Sequence, residues 1–100
     1  MLILTRSAAE SLLIGKSILL IREVLPAVKL VLIEPAHEKE FEFSLEDLPL
    51  HPVIQVADAL VKLMSIDRTE MTLGIDAPRS VPIVRADLDA LRSRLSAARN

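Results

Sequence analysis

Apolar and polar positions alternate from the first residue of this chain. Over residues 1–6, Leu2, Leu4 and Arg6 fall on one face and Met1, Ile3 and Thr5 on the other, the period of a strand. Ser7-Ala8-Ala9-Glu10 reads as a turn, residues 11–14 as a second short strand, and Gly15-Lys16-Ser17 as a tight turn. Residues 18–24 make a third strand, whose run Ile18-Leu19-Leu20-Ile21 implies burial on both faces. Pro26-Ala27 breaks the run, and residues 28–33 resume it as an antiparallel partner. After the charged loop 34–39, residues 40–45 alternate strictly, which directs Phe41, Phe43 and Leu45 inward. Ser44-Leu45-Glu46-Asp47 has the residues to cap a short turn.

The second half changes period. His51-Pro52 opens a helix expected over residues 52–65, since proline suits a first helical turn. Val53, Val56, Ala57, Leu60, Leu63 and Met64 form a wide apolar stripe, and Ile54 and Val61 widen it further. Only Gln55, Asp58, Lys62 and Ser65 make a narrow polar strip, so this helix must be mostly buried. Met71, Leu73 and Ile75 then alternate with Thr72, Gly74 and Asp76, and Asp76-Ala77-Pro78 is turn chemistry. Val81 and Ile83 share one face of a following strand, with Arg85 in phase behind them. Pro82 cannot donate to a ladder, so that strand should lie at an edge or have position 82 facing outward. A last helix is expected over about 86–98, where Leu88, Leu91 and Leu95 form a stripe, acids come early and arginines late. There is also an internal echo. Val28–Leu48 parallels Met71–Leu88 as strand, proline loop, strand and acidic helix start, although hairpins share composition in any case.

Composition narrows this picture to one small domain, residues 1–100. The chain is 51% hydrophobic but has only Phe41 and Phe43 as aromatics, so the core is aliphatic. So aliphatic a chain of this size favours an oligomer. The absence of cysteine excludes disulfide and thiolate chemistry, and the chain carries no signal peptide and no bilayer-spanning run. A cytoplasmic protein that does not enter the membrane is the expectation. Net charge is −2, but unevenly spread. Residues 1–24 hold three basic and two acidic groups, residues 25–78 four and ten, and residues 79–100 five and two. The two ends are positive and the middle is acidic, which leaves room for a phosphate-binding patch at the ends.

Met1-Leu-Ile-Leu-Thr-Arg6, Glu10 and Leu12-Leu13-Ile14-Gly15 at one end, with Leu73-Gly-Ile-Asp-Ala-Pro-Arg79 and residues 81–85 at the other, resemble the CsrA/RsmA carbon storage regulators. The matching segments are 1–24 and 71–100, and residues 25–70 read as an insertion between them. The resemblance implies a small bacterial dimer that binds GGA-containing loops of mRNA leaders or small regulatory RNAs and controls translation or mRNA stability. It implies an α+β fold, mainly β, in which a small antiparallel sheet has strands interlocked in a homodimer, with one inserted and one C-terminal helix. It also places the RNA contacts at Leu4, Thr5, Arg6, Ala77, Pro78, Arg79, Val81 and Arg85, with residues 4–6 of one subunit beside residues 81–85 of the other. Two equivalent sites per dimer would result. Ser7, Thr72 and Val84 depart from the family pattern, which has basic residues at the first two positions and commonly histidine at the third; Ala9 stands where glycine is usual.

Arg6, Arg79 and Arg85 suit that role chemically, because guanidinium is a planar donor fork that fits phosphate or the O6/N7 edge of guanine. Read without the resemblance, they are arginines that solvate strand ends. His37 and His51 are isolated imidazoles, expected respectively in a solvated loop and at the start of a helix, so no metal site is expected. No nucleophile with a base and no phosphate-cradling loop is recognisable; neither catalysis nor a cofactor is expected. The competing reading is a protein-interaction module of the same ancestry. It would pair with a family paralogue or act as an antagonist, with weak or lost RNA binding.

Overall fold

The computed structural model describes residues 1–87. Among them there is no α-helix; the fold is all-β with one 3-10 turn. The strands are β1 (Leu2–Ser7), β2 (Glu10–Ile14), β3 (Ser17–Glu23), β4 (Val28–Ile33), β5 (Glu38–Phe43), β6 (Val53–Val56), β7 (Ala59–Asp67), β8 (Glu70–Asp76) and β9 (Ile83–Asp87). They form two antiparallel sheets, ordered β1-β8-β7-β6 and β5-β4-β3-β2-β9. The inner faces meet in one aliphatic core. Leu12, Ile14, Leu19, Ile21, Leu30 and Leu32 come from the second sheet, and Leu4, Ile54, Val56, Val61, Leu63, Met71, Leu73 and Ile75 from the first.

This corrects the α+β expectation. Residues 52–65 are not a helix but the hairpin β6–β7. A helix would bury Val53 and Leu60, which are 54% and 48% exposed, while the alternating set Ile54, Val56, Ala59, Val61 and Leu63 is buried. Ala57 makes the turn with a positive φ of 53°, a geometry that alanine does not advertise in sequence. The helix expected over 86–98 falls outside the described residues, except that Ala86 and Asp87 end β9. The interlocking expected between two subunits occurs here within one chain. β1 lies on the edge of β8, and β9 lies on the edge of β2. β8 and β9, consecutive in sequence, therefore belong to opposite sheets. Phe41 and Phe43 pack against the core as expected, but Leu45 lies beyond β5 and is exposed.

The ladders repeat. Ile14↔Ser17, Leu12↔Leu19, Ile21↔Leu30 and Glu23↔Lys29 in β2–β3–β4 match Val56↔Ala59, Ile54↔Val61, Leu63↔Leu73 and Ser65↔Thr72 in β6–β7–β8. Each middle strand carries its bulge at the matching place, Ile21/Glu23 in β3 and Leu63/Ser65 in β7. Two pairs of left-handed residues match as well, while Arg68 (φ 60°) has no left-handed counterpart. Ala9 (φ 71°) corresponds to His51 (φ 51°), and Gly15 (φ 61°) to Ala57 (φ 53°), each pair 42 positions apart. The chain is a structural duplication, and residues 25–70 supply β4 to β7 of it.

Candidate nucleic-acid interface

Arg6 projects from β1 on the face that also carries Leu4, toward the core, and is only 8% exposed. Its Nη2 donates to the Ala86 carbonyl at 3.2 Å and lies 3.0 Å from Glu10 Oε2. Glu10 Oε1 in turn accepts the Ser7 backbone N–H at 2.6 Å, closing the β1–β2 turn. The Ser11 hydroxyl donates to the same Ala86 carbonyl at 3.1 Å. Arg6 Nε is buried and finds no acceptor among the described residues. Arg6 therefore acts as a clamp across β1, β2 and β9, with its fork spent largely inside the chain.

The clamp fixes the strand that carries Arg85. β9 pairs with β2 on one side, Leu12↔Arg85 and Ser11↔Ala86, and no described strand lies on its other side. Its remaining backbone donors and acceptors face outward, as at any sheet edge. Pro82 stands just before the strand, where no ladder N–H is needed, and its carbonyl accepts from Gly15 N at 2.9 Å. The Val81 N–H bonds to the Pro78 carbonyl at 3.0 Å, which closes the loop ahead of β9. Ala77 and Val81 pack against the core from this loop, while Pro78, Arg79 and Ser80 are exposed. Arg85 is exposed on β9.

The expected residues thus divide into groups. Arg79 and Arg85 are exposed on the loop and strand that Arg6 anchors, with no hydrogen bond or ion pair among the described residues. Leu4 is core, at 4% exposure, and Ala77 and Val81 shape the loop from beneath. Thr5 is exposed, but its ladder neighbour is Thr72 of β8. Within this chain, the hydrogen bond that links residues 4–6 to β9 runs from Arg6 to Ala86. Glu10 entered the sequence reading only as part of the resemblance and Ser11 only as a strand position; neither was expected at a site. The charge pair at positions 6 and 10 flanking a turn was the available signal for Glu10. His37 Nε2 lies 3.4 Å from Glu34 Oε1 at an exposed loop, away from these residues.

Comparison with protein-family models, with curated proteins and with solved structures returned no match for this chain.

Proposed function

We propose that the chain is an RNA-binding post-transcriptional regulator of the carbon-storage-regulator kind, taking GGA-containing loops of mRNA leaders or small RNAs. The observation that carries this reading is the exposed Arg85 on an edge strand, with Arg79 on the loop that leads into it and the strand pinned by Arg6. An unpaired loop offers base edges to such a strand. Guanidinium can grip guanine O6 and N7, and the free backbone groups of β9 can bond neighbouring bases. The mechanism is occupancy of a leader, with no bond made or broken. The departures at Ser7 and Thr72 remove two cations relative to the family pattern. Each lost phosphate contact on a single strand flattens the log–log salt slope by about 0.7.

The test is a titration with a labelled hairpin carrying GGA in its loop, at two salt concentrations, against a loop-scrambled control. Tight, salt-sensitive and loop-dependent binding is expected. Equal binding of both hairpins, or none, rejects this reading and leaves the protein-interaction module.

A further inference from the structure

The duplication is symmetric in its ladders and asymmetric in its arginines. Arg6 precedes the left-handed Ala9 by three residues; the counterpart of Ala9 is His51, and three residues before it stands Leu48. Both positions are 8% exposed, so a buried leucine replaces the buried arginine. Arg79 follows Pro78, and its counterpart after Pro35 is Ala36. β5, which follows its proline loop as β9 does, carries no arginine.

The backbone diverges in the same place. The counterpart of β1, residues 44–49, forms no strand. Asp47 Oδ2 accepts both the N–H and the hydroxyl of Ser44, each at 3.0 Å, and the 3-10 helix Leu48–Leu50 follows. The counterpart of β9 is β5, which pairs with β4 and leaves the edge of β6 without a described neighbour. Glu38, Glu40 and Glu42 also make β5 acidic. One half thus keeps the clamp and the two exposed arginines beside its edge strand, while the edge strand of the other half, β5, is acidic and has no clamp among the described residues.

We propose that one of two equivalent RNA sites has been silenced, so that each chain binds one RNA loop and cannot bridge two. This rests on the RNA-binding reading above. The experiment uses the full chain, with native mass spectrometry for stoichiometry and parallel titrations of a one-loop and a two-loop GGA hairpin RNA. One RNA per chain is expected, with the two-loop RNA bound no more tightly than a statistical factor of roughly two allows. In the same assay Arg85→Ala is expected to weaken every bound RNA, with no unaffected half. Two RNAs per chain, one RNA shared by two chains, or a gain of about 10²–10⁴-fold for the two-loop RNA would overturn the single site while sparing the RNA reading. Absence of loop-dependent binding would reject the RNA reading, and the single site with it.

Discussion

The Arg6 guanidinium donates to the Ala86 carbonyl at 3.2 Å, joining the first strand of the chain to the last described one. That bond, with the ion pair to Glu10, makes Arg6 a stability residue before it is anything else. Arg6→Ala is expected to cost about 2 kcal/mol in urea unfolding, the range for hydrogen bonds to charged partners. The share from Glu10 is smaller, because that carboxylate is 39% exposed and screened by solvent. Arg6→Lys keeps the charge but not the fork, and should recover part of the loss. Unchanged stability in Arg6→Ala would mean that the clamp does not hold β9.

Arg85 offers the opposite case. It is exposed on an edge strand, so Arg85→Ala should leave unfolding within about 0.5 kcal/mol of the parent. RNA affinity should fall by about 1–3 kcal/mol if the side chain reads a guanine edge. Fluorescence titration with the GGA hairpin and denaturant melts on the same preparation separate the two effects. Unchanged affinity removes Arg85 from the interface.

The first five strands were legible because alternation or a turn-bounded apolar run marks each, although Ile18 and Leu20 of β3 are only half-buried and not buried as the run implied. Leu4 and Arg6, then Phe41 and Phe43, sit on the faces that their parity assigns. Residues 53–64 were not, because almost every position is apolar and satisfies a helical and a strand period together. What would have separated them was the turn, and Ala57 hid it. The arginines were legible as chemistry. That Arg6 is buried was not, since it depends on a strand arriving 80 positions later. The echo at Val28 and Met71 was a true signal of equivalent strands, and the matching ladders extend it back to residues 9 and 51.

Ala9 and Ala57 hold backbone conformations that favour glycine, with φ of 71° and 53°. Ala9→Gly and Ala57→Gly should each stabilise the fold by about 0.5–1 kcal/mol, the left-handed strain outweighing the added chain entropy. Gly15→Ala should cost a similar amount through φ alone, because a β-carbon there meets only Val81 Cγ1 at 3.6 Å, an ordinary contact. Thermal melts of the three variants check the pattern. Two losses from the glycine substitutions would contradict the turn geometry.

Lys29 Nζ lies 3.2 Å from Glu23 Oε2 and 3.7 Å from Glu42 Oε1. The hydrogen bond to Glu23 raises the lysine pKa, aided by the charges of Glu23 and Glu42. A raised folded-state pKa stabilises the fold fully below the unfolded lysine value, and the contribution is lost as pH rises through the folded one. The stability gap between the parent and Lys29→Met should therefore be small at neutral pH and vanish at strongly alkaline pH. It should also shrink in high salt, since the pair is exposed. A gap that ignores both would come from packing of the lysine stem.

Gly74 lies in β8 between Leu73 and Ile75, but it faces away from the core, opposite Ile3 on one side and Lys62 on the other. A β-carbon at this position would stand 2.7 Å from Met1 Sδ and 3.0 Å from Met64 Sδ. Both are far ends of flexible side chains, which can swing aside at little cost. Glycine within a strand costs roughly 0.5–1 kcal/mol relative to alanine, so Gly74→Ala should be neutral or mildly stabilising. Its neighbour Leu73 is fully buried on the inner face, and Leu73→Ala should lose about 2–5 kcal/mol. Urea unfolding of the two variants reads the orientation of β8 directly. A large loss at Gly74 would mean that the two methionines are held in place and that the outer face of the first sheet is packed rather than open.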